Sequence, residues 1–220
     1  MSVAELADPA RLFVGVALDD AARAQVASLL GRVRALVAAP GWGARVPAED
    51  DLHITLRFLG AIARTRLPAL TAALEDALAG APEGSVSYGP IEVLPDAVSP
   101  GATPAPRPKH AWLRVGEGAA FLAASAAQVD RACVAAGIAS RDEEAHAFRP
   151  HITIVRIDRA PDDARASLVA LEPAVLGTVR VAEVTLFESV PRTRPGAAHY
   201  AALARFPLRA QVVDAHGAAR

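Results

Sequence analysis

Two short segments of the chain carry the same pair of a titratable imidazole and a hydroxyl. Segment 51–60 reads DLHITLRFLG, and segment 149–156 reads RPHITIVR. The ordinary pKa of histidine lies closest to neutral pH, and a threonine hydroxyl can donate a hydrogen bond to an oxyanion. One such pair is most often structural, but two in a chain with six histidines predict acid–base chemistry on a substrate that develops negative charge.

Both segments have the period of a half-buried strand. Apolar residues such as Ile54 alternate with polar ones, and residues two apart on a strand share a face. His53 therefore shares a face with Thr55, and His151 shares a face with Thr153. If the two strands lie side by side, these four side chains converge on one cleft while the isoleucines hold the strands to the core.

Two arginines follow the threonines at different spacings. Arg57 has the parity of His53 and is predicted to share the face of His53 and Thr55. Arg156 has the opposite parity to His151. It can therefore reach the face of His151 and Thr153 only if the strand ends or contains a bulge before it.

Zinc binding is the alternative interpretation of the two histidines. No third histidine, cysteine or carboxylate has ligand spacing beside His53 or His151, so neither a metal nor a cofactor is expected. Glu143, Glu144 and His146 belong to an acidic segment that is predicted to be a solvated loop.

Three aromatic residues are candidates for substrate contact. Phe13, Phe148 and Tyr200 could stack on a base, as aromatic rings do in proteins that bind single-stranded nucleic acid. Packing in the core is the alternative for each of them. Trp112 is open to the same two interpretations.

The rest of the chain supplies the elements that must position the motifs. Besides the two motif strands, we predict strands at 11–18, 86–94, 110–115, 179–190 and 199–206. Helices are predicted between Asp19 and Pro40, and over 66–79, 119–136 and part of 161–171. This order indicates a duplicated α+β module. The segments 42–51 and 95–108 are predicted to be loops, the second because it is rich in proline.

Composition limits the class of protein. The 220 residues are 52% hydrophobic, which is enough for a sizeable core. A net charge of −1 argues against binding along duplex nucleic acid, although a short RNA end remains compatible. Cys133 is the single cysteine, so no disulfide framework is expected. With no secretion signal and no membrane-spanning run, a cytoplasmic protein is predicted.

Four landmarks occur in an order that resembles one known family. They are RLFV at 11–14, LHITL with FLG within 52–60, FRPHITI with Arg156 within 148–156, and VTLFES at 184–189 followed by HYAAL at 199–203. This pattern is similar to the 2H phosphoesterase superfamily, and specifically to its RNA 2′,3′-cyclic phosphodiesterases, also known as 2′-5′ RNA ligases.

The resemblance implies an architecture. We expect one domain over 1–220 with an α+β, bilobal fold, in which two antiparallel sheets face each other across a central cleft and the helices lie outside. Each lobe would contribute one His-x-Thr strand. The protein would act as a monomer, away from membranes, on RNA ends or small nucleotides.

The resemblance also implies a reaction, namely metal-independent opening of a 2′,3′-cyclic phosphate to a 2′-phosphate. By this analogy His53 is the acid for the leaving oxygen and His151 is the base for water. Thr55 and Thr153, together with Arg57 and Arg156, would bind the phosphate.

Other functions stay open at this point. ATP-independent 2′-5′ ligation is the reverse reaction, and a nucleotide-binding module without turnover would keep the same cleft. Hydrolysis of a small cyclic nucleotide or of ADP-ribose cyclic phosphate would use the same residues. ATP-driven ligation is disfavoured, because the chain has no phosphate-cradling glycine loop and Lys109 is its only lysine.

Overall fold

The computed structural model describes residues 9–95, 107–139, 148–171, 177–191 and 199–210. Most of the predicted loop 95–108 lies outside these ranges. The predicted solvated loop that contains Glu143, Glu144 and His146 also lies outside them.

Nine strands and four α-helices make up the regular structure of the described residues. The strands are β1 (Pro9–Ala17), β2 (Gly43–Arg45), β3 (His53–Ala63), β4 (Gly84–Leu94), β5 (His110–Val115), β6 (His151–Arg159), β7 (Gly177–Val181), β8 (Glu183–Ser189) and β9 (Tyr200–Pro207). The helices are α1 (Asp20–Val37), α2 (Leu67–Leu78), α3 (Ala119–Ala135) and α4 (Ala164–Val169). The predicted mixture of helices and antiparallel strands is confirmed.

The local sequence explains where the first two helices begin. The carboxylate of Asp19 accepts the N–H of Ala22 at 2.8 Å, which caps the free end of α1. Pro68 lies in the first turn of α2, where a missing N–H costs no helical hydrogen bond.

The strands form one antiparallel path in the order β7-β4-β5-β6-β3-β1-β8-β9, and β2 pairs with β6. The path has two halves, which meet between β3 and β6. Within the described residues, Ile54 opposite Ile152 is the one register pair that links them. The prediction of two separate sheets is therefore not confirmed, but each half does contain one motif strand.

The helices cover one face of this path. α2 and α3 pack on each other and against β9 and β3, whereas α1 and α4 pack against β6, β7 and β4. Ile54 and Ile152 are fully buried in the core that these helices close. The histidines and threonines of the motifs consequently face the side without helices.

Three expectations about the elements need correction. The predicted strand 179–190 is two strands, because β7 pairs with β4 and β8 pairs with β1, and the chain crosses between the halves at Ala182. The predicted loop 42–51 contains β2, which pairs with β6. The spatial halves also differ from consecutive sequence repeats, because β8 and β9 join the half that contains β1 and β3.

Candidate active site

The site is built by the register between the two motif strands. β3 and β6 run antiparallel, with Ile54 opposite Ile152. This register places His53 across from Thr153, and Thr55 across from His151, on the face opposite the isoleucines. All four side chains are half-buried. The structure thus brings together the four residues that the repeated motif predicted.

The two imidazoles are held in the same way. Nδ1 of His53 lies 2.6 Å from the carbonyl oxygen of Asp51, and Nδ1 of His151 lies 2.7 Å from that of Arg149. A carbonyl oxygen only accepts, so Nδ1 carries the proton in each ring. The other nitrogen, Nε2, is then the acceptor in the neutral form, and in His53 it lies 3.1 Å from Oγ1 of Thr55.

Both imidazoles lie where their charged forms are disfavoured. Burial lowers the pKa of His53 to about 4, and the hydrogen bond to the carbonyl of Asp51 opposes this shift only in part. Burial also lowers the pKa of His151. The positive charge of Arg156 lowers the pKa of both rings further. In the free protein both histidines are therefore neutral at pH 7.

A bulge in β3 determines where Arg57 points. The neighbouring strand β1 pairs Gly15 with Thr55 and Val14 with Arg57. Two adjacent residues of β1 therefore face three residues of β3, and Leu56 has no partner of its own. The extra residue reverses the faces beyond it. Arg57 therefore lies on the helix side, together with Val14.

The prediction that Arg57 binds phosphate is corrected by this arrangement. The Arg57 side chain is 3% exposed, and its guanidinium lies 2.7 Å from the carboxylate of Asp130 in α3. It also donates to the backbone carbonyls of Asp130 and Ala139. Arg57 joins α3 and the segment after it to β3, and it does not reach the cleft.

A bulge at the equivalent place in β6 has the opposite effect on Arg156. Trp112 of β5 pairs with Thr153 and Ala111 pairs with Val155, so the strand gains one residue between them. The bulge that Arg156 requires is therefore present. It returns Arg156 to the face of Thr153, where it lies opposite His110. Phosphate binding by Arg156 remains a prediction.

The same position in β3 is occupied by Phe58. It is five residues beyond His53, as Arg156 is five residues beyond His151, and it is 69% exposed. Phe58 pairs with Phe13 of β1, and their ring centroids are 6.0 Å apart. The two motif strands thus present an aromatic ring and a guanidinium at matching places.

A cavity of about 260 Å³ opens on this face. Its walls are formed by a histidine, a threonine and an arginine of the two motifs, together with residues from β2, the segment before β3 and the start of β9. The lining residues are Arg45, Val46, Pro47, Asp51, His53, Thr153, Arg156, His199 and Tyr200. This space is suited to a small polar anionic ligand because two arginines line it.

A second cavity, of about 180 Å³, lies beside His151 and is also lined by Phe148 and Trp112. The ring of Trp112 lies 3.8 Å from that of His151, centroid to centroid. Trp112 donates through Nε1 to Glu92 at 2.8 Å, and Arg149 donates to the same carboxylate oxygen at 3.2 Å. These contacts fix the ring that packs against His151.

The aromatic residues near His53 have different positions. Tyr200 lines the larger cavity and meets the ring of His53 edge-on, at 5.0 Å between centroids. Phe13 lies at 4.7 Å from His53 and stacks on Phe187 at 4.9 Å. It is only 3% exposed, so the predicted substrate contact of Phe13 is corrected: the ring supports His53 from behind.

Sequence reasoning missed Asp51. This carboxylate is 3% exposed, and its Oδ1 accepts the backbone N–H groups of His199 at 2.6 Å and Tyr200 at 3.1 Å. Asp51 thereby joins the start of β9 to the segment that holds Nδ1 of His53. The position of Asp51, two residues before His53, was the one sequence feature that could have indicated a role. Its hydrogen-bond partners are almost 150 residues away, so the sequence did not reveal them.

The described residues contain neither a group of metal-ligating side chains nor a membrane-spanning helix. In the ranges that the structure covers, no three histidine, cysteine, aspartate or glutamate side chains are grouped so as to hold a metal ion. None of the helices in these ranges has the length and apolar character needed to cross a membrane.

Comparison with known proteins gives consistent matches. The profile of the family described as LigT like phosphoesterase matches residues 16–101. An RNA 2′,3′-cyclic phosphodiesterase of Aeropyrum pernix is 29% identical over 170 residues, which cover 76% of this chain and 88% of that protein.

Solved structures share the fold. Escherichia coli LigT complexed with 3′-AMP has a TM-score of 0.65 at 23% identity, covering 91% of this chain and 99% of that one. A protein described as a phosphoesterase has a TM-score of 0.61 at 26% identity with the same coverage. These likenesses, and two His-x-Thr strands that meet on one face of the sheet, lead to one conclusion: the chain is similar to LigT-like phosphoesterases over residues 16–101 and shares the fold of LigT.

Proposed function

We propose that this protein hydrolyses the 2′,3′-cyclic phosphate of an RNA end or a nucleotide to a 2′-phosphate, without a metal ion. The observation that carries the proposal is the paired placement of His53 and His151, each with Nδ1 on a carbonyl oxygen and Nε2 as the acceptor. The name of the Aeropyrum pernix relative supports the same reaction.

The reaction requires two proton transfers on opposite sides of phosphorus. His151 takes a proton from the attacking water through Nε2 as the water oxygen bonds to phosphorus. His53, protonated at Nε2, gives its proton to the ribose 3′-oxygen as that oxygen leaves. The products are a 2′-phosphate and a 3′-hydroxyl, and the proton lost by water replaces the one given by His53.

The roles of the two histidines depend on the bound anion. Burial lowers the pKa of His53 to about 4 in the free protein, so His53 must gain a proton as the substrate binds. A phosphate anion beside both rings favours the imidazolium form and opposes the effect of Arg156. We assign His53 as the acid and His151 as the base on the family resemblance.

Thr55, Thr153 and Arg156 are proposed to hold the non-bridging oxygens. Negative charge increases on these oxygens during attack, and donors that are already oriented stabilise it. Thr153 and Arg156 line the larger cavity together with His53, and this shared lining supports their proposed role as donors to these oxygens. Tyr200 is proposed to contact the nucleoside from the same cavity, and Phe148 from the cavity beside His151.

The proposal includes the domain organisation. The whole chain, 1–220, would be one domain with two lobes, each centred on one motif strand. One chain carries both histidines, so a monomer is sufficient for the reaction.

The test is hydrolysis in the presence of a metal chelator. Wild-type protein, His53→Ala and His151→Ala are incubated with a nucleoside 2′,3′-cyclic monophosphate and with a short RNA that ends in a cyclic phosphate. Phosphorus NMR identifies the product. We expect a 2′-phosphate from the wild type and a loss of roughly 10²–10⁴-fold in kcat for each variant. Thermal melting of the variants checks that they are folded.

Three results would contradict the proposal. Activity retained in both histidine variants would place the active site elsewhere. Activity abolished by the chelator would indicate a metal-dependent reaction. Tight binding of a nucleoside 2′-phosphate without turnover of any cyclic substrate would identify a binding module.

A further inference from the structure

Three basic residues lie in one row across neighbouring strands. Arg45 of β2 is directly opposite Arg156 of β6, and Arg156 is directly opposite His110 of β5. Cross-strand partners share a face, and neighbouring strands are about 4.8 Å apart. Like charges at this spacing destabilise a sheet, so the opposed guanidinium groups of Arg45 and Arg156 would gain from a bound anion.

The ion pairs among the described residues leave this positive charge largely uncompensated. Arg45 contacts Asp158 at 3.0 Å, but the side chains are 68% and 63% exposed, and exposed pairs of this kind are weak. Within the described part of the chain, Arg156 has no ion pair. Partial burial, together with the charges of Arg156 and Lys109, lowers the pKa of His110, which favours its neutral form.

The row of basic residues lies next to the proposed reaction site. Arg45 and Arg156 line the same cavity as His53 and Thr153. Arg156 shares a face and a strand with Thr153, whereas Arg45 lies one strand farther from Thr153. A cyclic phosphate held by Thr153 and Arg156 would therefore leave Arg45 facing the neighbouring part of the substrate.

We propose that Arg45, together with Arg156, binds a second phosphate group of the substrate, one nucleoside away from the reacting phosphate. The group is a phosphate ester on the ribose 5′-oxygen, as either a terminal 5′-phosphate or an internucleotide phosphodiester. The identity of the reacting phosphate rests on the proposed function. A guanidinium presents five N–H donors, so Arg156 can contact both phosphates.

Binding measurements test this subsite without requiring turnover. Isothermal titration calorimetry compares adenosine 2′-monophosphate with adenosine 2′,5′-bisphosphate. We expect the wild type to bind the bisphosphate about 10-fold more tightly, because one charge-assisted contact is added. Arg45→Gln should remove this preference and change the affinity for the monophosphate by less than about two-fold.

Arg159→Gln is the matched control. Arg159 is an exposed arginine at the end of the same strand, β6, and it does not line the cavity. This variant should keep the wild-type preference for the bisphosphate. The salt dependence gives a second measure: added salt should weaken binding of the bisphosphate less in Arg45→Gln than in the wild type, because one fewer charge contact is screened.

A dinucleotide that ends in a 2′-phosphate distinguishes the two sources of the second phosphate. If it binds as tightly as the bisphosphate, the subsite accepts an internucleotide diester. If only the bisphosphate gains affinity, the subsite takes a terminal 5′-phosphate.

Equal affinity of the wild type for the monophosphate and the bisphosphate would overturn the proposal. An equal loss of affinity for both ligands in Arg45→Gln would also overturn it, because Arg45 would then serve the reacting phosphate. Turnover of cyclic substrates is measured separately. Absence of turnover would refute the proposed function, while a bisphosphate preference that depends on Arg45 would still support the subsite.

Discussion

Ile54 of β3 lies directly opposite Ile152 of β6, and this pair joins the two halves of the sheet. Both side chains are fully buried against the helices. Each isoleucine is flanked by the histidine and the threonine of its own motif, so one point of contact in the core places all four polar side chains on the other face. Core packing and catalytic geometry therefore depend on the same pair.

The pH dependence of catalysis should lie on the acidic side of neutrality. The proposed reaction needs one protonated and one neutral histidine, and the singly protonated pair is most populated between its two pKa values. The pKa of His53 is about 4, and that of His151 is below the ordinary value of 6.5. We expect kcat/KM to peak between about pH 4 and 6.5 and to fall above it. A maximum above pH 7 in initial-rate measurements would contradict this protonation scheme.

The stability of the fold should decrease as the pH falls through the same window. The pKa of His53 is lower in the folded state than its unfolded value of 6.5, so between pH 6.5 and 4 the unfolded chain binds more protons. Stability is then lost as the pH decreases. His53→Asn removes this contribution while retaining a donor for the Asp51 carbonyl. We expect the loss in Tm between pH 7 and 4.5 to be smaller by roughly 3–6 °C in the variant, by calorimetry. Equal losses in both proteins would contradict the shift.

Arg57 and Arg156 should have opposite effects when replaced by alanine. Arg57→Ala removes a buried guanidinium with its ion pair to Asp130 and its hydrogen bonds to two backbone carbonyls, and should lower the free energy of unfolding by about 3–5 kcal/mol. Arg156→Ala changes an exposed side chain in the cleft, so we expect an unchanged Tm and a loss of roughly 10²–10³-fold in kcat/KM. Urea denaturation and steady-state kinetics on both variants distinguish the two roles. A stable, inactive Arg57→Ala protein would refute the placement of Arg57.

Gly15 should be required for the geometry of the first motif. A Cβ at this position would lie 2.7 Å from the carbonyl oxygen of Ile54, so Gly15→Ala must displace β3 next to His53. We expect a loss of about 1–3 kcal/mol in the free energy of unfolding and, because small displacements misalign reacting groups, a fall in kcat of roughly 10²-fold.

Gly31→Ala is the control for this substitution. Gly31 lies inside α1, and a Cβ there meets nothing within 4 Å. The added methyl should stabilise the protein by about 0.5–1 kcal/mol through the helix preference of alanine, with unchanged kcat. If Gly15→Ala retained wild-type kcat, the close approach of β1 to the motif would have no catalytic importance.

The sequence was sufficient to predict the main elements and the meeting of the two motif strands. Hydrophobic periodicity and capping residues indicated the helices, and the repeated His-Ile-Thr pattern indicated both motif strands and the face that carries their polar side chains. These features depend on neighbours within a few residues. For the same reason, Asp19 and Pro68 could be placed at the start of α1 and α2.

The predictions were wrong or incomplete where contacts between residues far apart in sequence determine the position of a side chain or a strand. The prediction for Arg57 assumed uninterrupted alternation, whereas the pairing of β3 with β1 produces a bulge that reverses the side chain. β7 and β8 are separated only by Ala182 and were predicted as one strand, but they pair with strands in different halves. The burial of Phe13 and the role of Asp51 follow from contacts with β9, which no local pattern reveals.

The matching bulges of β3 and β6 have a consequence for the orientation of the substrate. The two motif strands are related by an approximate twofold axis that passes between Ile54 and Ile152, and this axis exchanges His53 with His151. An active site with that symmetry would accept a cyclic phosphate equally well in two opposite orientations. The symmetry is broken beyond the bulges, where one strand carries Phe58 and the other carries Arg156. The difference between an aromatic ring and a guanidinium can therefore determine which ribose oxygen faces which histidine.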